Sequence, residues 1–173
     1  MNGFILVLPI IFIRYIVLSI LSKEAFIRAA HFPPIKKGIE NIAHWVYQIT
    51  TLSLLIISIF EKVGLSGFLS YLGLGIYALG MFLYFFSIIQ FSKPDQKGLN
   101  VAGLYKISRN PMYVAFFIYF LGFSMMSGSW LQFLVLFIFQ ISVHYLILSE
   151  ERWCIKEFGD DYINYMNKVR RYI

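Results

Sequence analysis

Long runs of apolar residues, separated by short polar stretches, dominate the chain from its start to about residue 148. A helix needs about 20 apolar residues to span the hydrocarbon core of a bilayer. Strands of a membrane β-barrel would be about ten residues long and would alternate in polarity, and these runs do neither. The pattern therefore predicts an all-α, polytopic membrane protein with five transmembrane helices, at about Gly3–Leu21, Ala43–Phe60, Gly67–Phe91, Met112–Met126 and Trp130–Leu148.

The connections between these runs refine the prediction. Only Ser127–Ser129 separates the last two runs, which predicts a tight helical hairpin. Within the third run, Gly73 and Gly80 lie at helical spacing and indicate close packing against another helix. After the fifth run the sequence becomes polar, and we expect short cytosolic helices near the C-terminus.

The basic residues lie almost entirely on one side of the predicted spans. Of the 15 Lys and Arg, Lys62 alone lies on the opposite side and Arg14 falls inside the first span. Cytoplasmic loops of membrane proteins carry an excess of Lys and Arg, so we expect the N-terminus outside and the C-terminus in the cytoplasm. The residues on the cytoplasmic side are Lys23, Arg28, Lys36, Lys37, Lys93, Lys97, Lys106, Arg109, Arg152, Lys156, Lys168, Arg170 and Arg171.

Composition supports the membrane assignment. Apolar residues make up 59% of the chain and charged residues 14%, whereas soluble domains average about 45–50% and about 25%. A length of 173 residues suits a single transmembrane domain over residues 1–173. The first span lacks a basic leading region and a small-residue cleavage site, so we expect it to be retained. The lone Cys154 allows no intramolecular disulfide, and a packed side chain is preferred over a reactive thiol.

Arg14 is unusual because it lies in the middle of the first span. An arginine at the centre of a membrane helix costs roughly 2.5–3.5 kcal/mol on insertion scales. Two interpretations stay open. The side chain has a partner carboxylate or a substrate anion, or it reaches the membrane surface from a span that is shifted along the sequence.

One cluster of polar residues precedes the fourth span, at residues 98–113. Gly98 and Gly103 permit sharp turns and close approach of a ligand. Arg109 suits a carboxylate or phosphate. Pro111 is placed to start a helix, whose N-terminal amides favour an anion. A capped helix start with a cytosolic anchor explains Arg109–Pro111 equally well.

A second polar cluster covers the end of the fifth span and the residues after it, 144–165. Gln140, His144 and Glu151 share one face of the predicted helix and suggest a cavity, although a hydrogen-bonded core histidine also explains His144. Because the last two spans form a hairpin, we expect both clusters to line one pocket, between Gly103–Tyr113 and Gln140–Glu151.

Acidic side chains are unfavourable at a helix C-terminus. Glu150 and Glu151 follow just after the fifth predicted span, at the expected end of its helix, so Arg109, Arg152 or a cationic ligand should balance them.

Several other kinds of site are not predicted. His31, His44 and His144 are far apart in sequence and lack the spacing of metal ligands. No P-loop and no dinucleotide-binding glycine motif is present. The basic residues flank membrane spans, so we expect no nucleic-acid binding.

The two polar clusters also carry a family resemblance, over about Asn100 to Arg171. In this region the chain resembles the isoprenylcysteine carboxyl methyltransferase and phospholipid methyltransferase family. The family's pattern is often Arg-His-Pro-x-Tyr, and here Asn110, which cannot take a proton at neutral pH, stands in the second position. The matching motifs are Gly103-Leu104-Tyr105, Arg109-Asn110-Pro111-Met112-Tyr113, Glu150-Glu151, and Glu157-Phe158-Gly159-Asp160-Asp161-Tyr162 with Tyr165.

This resemblance implies a five-span enzyme in which about residues 98–171 wrap S-adenosylmethionine near the cytosolic surface. It implies catalytic roles for Arg109 and Glu151, and the histidine spacing already predicts no bound metal. We expect Gln140 and His144 to contact the substrate. The cofactor-binding residues implied are Gly103, Leu104, Tyr105, Arg109, Asn110, Met112, Tyr113, Glu150 and Glu151.

The expected reaction moves a methyl group from S-adenosylmethionine to a lipid-like or prenylated acceptor, or to a small apolar one. The apolar acceptor would enter from the lipid bilayer and the polar cofactor from the cytosol. The sequence does not distinguish a carboxylate, an amine or a thiol as the methylated group, and it predicts no oligomeric state. The alternatives are an NADPH-dependent membrane sterol-type reductase, which resembles the same motifs, and a non-enzymatic membrane scaffold.

Overall fold

The computed structural model describes residues 2–31 and 38–173. The chain break expected at Phe32–Pro34 and the charges of Lys36 and Lys37 lie outside these residues. The described residues are helical and contain no β-strand, only isolated bridges. The helices are α1 (Gly3–Leu21), α2 (Lys23–Ala30), α3 (Ile39–Phe60), α4 (Phe68–Phe91), α5 (Pro111–Ser127), α6 (Trp130–Phe158) and α7 (Asp160–Lys168), with a 3₁₀ turn at Gly103–Lys106.

Four of these helices, α1, α3, α4 and α6, are long and apolar enough to cross a membrane. Helix α5 is apolar but shorter, at 17 residues. Large apolar side chains face outward along the helices, and Phe68 and Trp130 are 83% and 84% exposed. Apolar surface of this extent is a mark of contact with lipid. The protein is therefore an all-helical integral membrane protein, and the fifth span stays a prediction.

The ends of α5 and α6 follow from local sequence. Pro111 occupies the first turn of α5, where its missing N–H is not needed. Gly128 ends α5 in the left-handed region, with φ of 66°, which glycine adopts without strain. The hydroxyl of Ser129 then accepts from the backbone N–H of Gln132 and caps α6. The two helices are therefore joined by a very short turn.

Two helix pairs form most of the molecule. Helix α5 packs mainly along α4, and α6 packs mainly along α3. The rings of Phe116 and Phe139, 4.9 Å apart, connect the two pairs. Buried Gln132 adds a polar contact, donating to the hydroxyl of Ser58 at 2.9 Å. The closest neighbour of α5 is thus α4 and not its partner in the predicted hairpin.

Helices α4 and α5 approach each other through glycines. A Cβ atom at Gly80 would lie 2.3 Å from the backbone nitrogen of Tyr119, and one at Gly122 would lie 2.2 Å from that of Tyr77. At Gly73 it would lie 2.8 Å from the Cβ of Met125. The close packing predicted from Gly73 and Gly80 is confirmed, and it leaves no room for a side chain.

Helix α1 is irregular at its centre. Pro9 removes one backbone donor, and residues Ile13–Val17, which include Arg14, form a π-helical turn. The hydroxyl of Tyr77 donates to the Leu6 carbonyl at 2.7 Å and holds the helix against α4. A π-helical turn changes the direction in which its side chains point, and this one carries the arginine that the sequence singled out.

Helix α6 is longer than predicted. It was expected to end near Leu148 but continues to Phe158. Glu150 and Glu151 therefore lie inside the helix, and the argument from an unfavourable helix C-terminus was wrong. The helix continues because residues 149–158 contain neither glycine nor proline. Half-buried Cys154 lies on this extension as a free thiol.

Candidate active site

Arg109 and Glu151 form an ion pair at the polar end of the helices. Arg109 Nη2 lies 2.6 Å and Nε 3.2 Å from Glu151 Oε1. The side chains are only 8% and 6% exposed. The remaining terminal nitrogen, Nη1, donates to the carbonyls of Met166 at 3.0 Å and Val169 at 2.8 Å. One guanidinium group thus joins the start of α5, the helix α6, the end of α7 and the C-terminal tail, residues 169–173.

A second arginine binds the same carboxylate. Arg171 Nη2 lies 2.7 Å from Glu151 Oε2, and its Nε lies 3.0 Å from Oε1. This hydrogen-bonded carboxylate raises the pKa of Arg171. Backbone contacts secure the tail as well, because Arg109 N–H donates to the Arg170 carbonyl at 2.9 Å. The Asn110 side chain donates to the Arg171 carbonyl at 3.0 Å.

The neighbouring Glu150 has a different environment. The hydroxyl of Tyr113 donates to Glu150 Oε1 at 2.7 Å. The Tyr113 ring also meets the ring of Tyr47 edge to face, with centroids 6.3 Å apart. Successive residues of an α-helix point roughly 100° apart, so Glu150 and Glu151 face different sides of α6. The two polar clusters are in contact, as the sequence predicted from a short α5–α6 connection.

The 3₁₀ turn at Gly103–Lys106 is docked on the end of α4. A Cβ at Gly103, where φ is 58°, would lie 2.3 Å from the Gln90 side chain. Gln90 Oε1 accepts the backbone N–H of Leu104 at 2.6 Å. Tyr105 is buried, and its carbonyl accepts the Tyr165 hydroxyl at 2.6 Å. Burial raises the pKa of Tyr105, so its phenol stays neutral.

The predicted substrate residues lie apart from the Arg109–Glu151 pair. His144 Nδ1 lies 2.9 Å from the Tyr172 hydroxyl, and the two rings are stacked. Gln140 Oε1 is buried and has no hydrogen-bond partner among the described residues. Met112 packs against the apolar core. Gln140 and His144 thus share a helical face with Glu151 without binding it.

The C-terminal tail is the part of the site that sequence reasoning missed. Arg171 was noted only as one of many cytoplasmic charges, and Tyr172 was not considered. A buried carboxylate needs positively charged partners. From this rule, a second arginine or lysine beside Glu151 could have been predicted. The partner anticipated on α6, Arg152, instead pairs with Glu40 at 2.6 Å.

Arg14 is directed into the protein. Its Nη2 donates to the Ala29 carbonyl at 2.6 Å. It also lies close enough to Glu150 to act on that carboxylate electrostatically. The hydrogen bond of Arg14 is to a backbone carbonyl, so the choice between the two interpretations left open by the sequence stays open. Within residues 2–31 and 38–173, no group of three or more His, Cys, Asp or Glu side chains could hold a metal ion.

Comparison with known proteins agrees with this geometry. A family model described as phospholipid methyltransferase matches residues 49–161. That range contains Arg109, Tyr113, Glu150 and Glu151, whereas Arg14 lies outside it. No curated protein matches the chain. Since the family model covers well over half of the chain, the protein belongs to the phospholipid methyltransferase family.

Proposed function

We propose that the protein transfers a methyl group from S-adenosylmethionine to a lipid-like or prenylated acceptor at the polar end of its helices. Family membership supports methyl transfer. The observation that carries the proposal is the junction of residues 98–113 with α6. There, Arg109 binds Glu151 and Tyr113 binds Glu150, and these two carboxylates are neighbours in sequence on α6.

The residues around Glu150 suit a cationic cofactor. S-adenosylmethionine carries an ammonium and a sulfonium, and a carboxylate beside aromatic faces attracts such groups. Glu150 would hold the ammonium or the ribose hydroxyls, and the Tyr113 ring would face positive charge. When bound, the cofactor supplies an activated methyl group. The chain's own residues bind it, orient it and exclude water, and good alignment supplies much of the rate of such a transfer.

We assign Arg109 and Glu151 a positioning role within this site. Each guanidinium nitrogen of Arg109 already donates to protein, and both oxygens of Glu151 accept from arginines. Within the cofactor segment, residues 98–171, the pair would therefore hold the C-terminal tail against the start of α5, and it would not itself contact the reacting atoms. The positions of Gly103, Leu104, Tyr105, Asn110 and Met112 in this segment support their assignment to the cofactor site.

The proposed membrane arrangement has five spans, with α5 and α6 as a hairpin. At 17 residues, α5 would extend ~26 Å, close to the ~30 Å of the hydrocarbon core. The basic residues around the site support an outside N-terminus and a cytoplasmic C-terminus. Gln140 and His144, which precede Glu150 on α6, would contact the acceptor.

The acceptor's chain would enter from the lipid. A groove of about 490 Å³ lies between α1 and α4 and carries almost no polar surface. Such a groove suits an acyl or prenyl chain. The methylated group stays open among carboxylate, amine and thiol. The groove is lined by Pro9, Phe12, Ile13, Val17, Ala78, Met81, Phe82 and Phe85.

Calorimetric titration of the purified protein tests this function. We expect S-adenosylmethionine to bind and NADPH not to bind. Glu150→Gln should weaken cofactor binding ~10-fold or more through loss of a charged contact. The matched control is Glu157→Gln, which changes an exposed carboxylate on the same helix. Binding of NADPH alone would indicate a reductase, and binding of neither cofactor would indicate a scaffold. If Glu150→Gln binds S-adenosylmethionine as tightly as the wild type, Glu150 is not part of the cofactor site.

Transfer is tested with isotope-labelled methyl donor. Mass spectrometry of membrane lipids and small thiols, with and without the protein, should show label in one apolar acceptor. Label in no molecule, despite cofactor binding, would contradict the proposed reaction.

A further inference from the structure

Two arginines from the N-terminal part of the chain lie beside the cofactor segment. Arg14 Nη2 donates to the carbonyl of Ala29 at 2.6 Å. Because Ala29 follows Arg28 in sequence, this contact places Arg14 against the last turn of the helix that carries Arg28. Arg28 Nη2 donates to the Phe91 carbonyl at 2.6 Å, and its guanidinium lies 4.5 Å from the centre of the Phe91 ring. Both side chains are therefore fixed in position by one of their donors.

Two buried polar atoms in this region have no hydrogen-bond partner in the described part of the chain. They are Nε of Arg28 and the hydroxyl oxygen of Tyr105. Both residues are held at the end of α4, where Phe91 binds Arg28 and the preceding Gln90 binds the turn that carries Tyr105. Both atoms can donate a hydrogen bond. Buried donors without acceptors are uncommon in folded proteins, and they indicate a missing acceptor.

The charges of this region also favour an anion. Two cations, Arg14 and Arg28, and one carboxylate, Glu150, lie near enough to Tyr105 to act on its hydroxyl. Neither arginine forms an ion pair within residues 2–31 and 38–173. Glu24, one turn before Arg28, is exposed, so water screens its charge. Burial lowers the pKa of Arg28, and this effect outweighs the opposing effect of Glu24.

We propose that Arg14, Arg28 and Tyr105 form a subsite for an anionic head group, a carboxylate or a phosphate, on the methyl acceptor. The proposal rests on the proposed methyl transfer, since it names the acceptor's chemistry. The family match begins at residue 49, so both arginines belong to a part of the chain outside it. They would give this protein a selectivity of its own, with the head group held next to Glu150.

The competing explanation is purely structural. Ala29 and Phe91 lie at the C-terminal ends of α2 and α4, where carbonyls lack helical partners. Arginines that bind such carbonyls stabilise helix ends. A guanidinium has five N–H donors, however, and each of these contacts uses a single nitrogen. The cap therefore leaves donors free for a second role, and only a binding measurement separates the two explanations.

The test uses four amphiphiles with the same chain, added to the purified full-length protein in a non-ionic detergent. They are hexadecanoate, hexadecyl phosphate, hexadecanol and hexadecyltrimethylammonium. We expect one or both anions to bind at least ~10-fold more tightly than hexadecanol, as charge-assisted hydrogen bonds would give. The tighter of the two anions identifies a carboxylate or a phosphate as the source. Equal binding of hexadecanol and both anions would overturn the proposal.

Variants assign the effect to the arginines. Arg14→Gln and Arg28→Gln should each remove most of the preference for anions, and the Lys variants should retain part of it. The matched control is Arg170→Gln, which changes an exposed arginine and should keep the full preference. If both Gln variants keep it too, the arginines only cap helices and the proposal fails.

Two further measurements keep the result interpretable. If Arg28→Gln does not fold, Tyr105→Phe removes one hydroxyl with little change of shape, and the ratio of hexadecanoate to hexadecanol affinity should fall severalfold. An unchanged ratio in that variant would contradict the subsite. S-adenosylmethionine binding is measured separately on every protein. An anion preference without cofactor binding would refute the proposed function and leave the subsite standing.

Discussion

The contact between α4 and α5 and the polar site beside it are built in opposite ways. Along α4 and α5, glycines bring two backbones together, and a single methyl group at Gly80 would collide with the Tyr119 nitrogen. At the polar site, long side chains cross larger distances, and Arg109 alone reaches Glu151, Met166 and Val169. The first region depends on the absence of side chains at its glycines. The second depends on the side chains of Arg109, Glu151 and Arg171.

This difference has a physical cause. In lipid, apolar side chains gain little by leaving the solvent, so helices associate through close van der Waals packing. At the polar site, a buried carboxylate such as Glu151 requires directed hydrogen bonds from charged partners. Substitutions should therefore act by bulk in the first region and by charge and hydrogen bonding in the second.

The largest effect is expected from Arg109→Gln. Removing one partner of a buried ion pair typically costs about 3–5 kcal/mol because the other charge stays buried. Here the cost should fall at the lower end, since Arg171 still binds Glu151. Denaturant unfolding in detergent measures the loss, with Arg170→Gln as the control.

A double-mutant cycle with Glu151→Gln sharpens this result. The double variant should lose less stability than the sum of the single variants, because the two residues share one interaction. Additive losses would show that Arg109 acts mainly through the carbonyls of Met166 and Val169.

The next largest effect is expected from Gly80→Ala. The added methyl group meets backbone atoms that cannot move aside, and overpacking of this kind typically costs about 1–3 kcal/mol. Gly75 on the same helix is the matched control, since a Cβ there would have no atom within 4 Å. Gly75→Ala should be neutral or stabilising, because alanine favours helix by about 0.5–1 kcal/mol. Equal effects in both variants would contradict the role given to the glycine contact.

The same contrast explains what the sequence could predict. Apolar runs and the spacing of Gly73 and Gly80 are local patterns, and they correctly indicated the helices and one packing face. The short Ser127–Ser129 connection predicted that the two polar clusters lie close together, and Arg109 was one of three partners considered for Glu150 and Glu151. The role of Arg171 depends on where the chain's end folds back, and no local pattern encodes that.

Two other features, the π-helical turn in α1 and the length of α6, could not be predicted from local sequence patterns. The π-helical turn around Arg14 reflects how α1 fits against its neighbours, whereas apolar periodicity treats every span as regular. The extension of α6 to Phe158 was missed because the prediction ended the helix where the apolar run ended. A helix can continue past its apolar run when its polar residues have partners, as Glu151 does.

A smaller effect is expected from Arg171→Gln. This side chain is 31% exposed, so solvent weakens its pair with Glu151, and we expect a loss of about 1 kcal/mol or less. Cofactor affinity should fall more clearly than stability, because the tail that closes the site loses its side-chain anchor. The two are compared by unfolding and by calorimetric titration of S-adenosylmethionine. A large loss of stability with unchanged affinity would contradict the role of the tail in the site.

The smallest effect is expected from Lys97→Gln, which breaks a salt bridge to Asp161 at 2.5 Å. Both side chains are at least half exposed, and exposed pairs contribute little because water and salt screen them. The partner raises the pKa of Lys97, so the pair's contribution is present at neutral pH and is lost only as the pH rises through that pKa. At neutral pH, we therefore expect Lys97→Gln to have the same free energy of unfolding and the same cofactor affinity as the wild type, at both low and high salt. A loss of stability at low salt that disappears at high salt would contradict this expectation and show that the exposed pair contributes to folding.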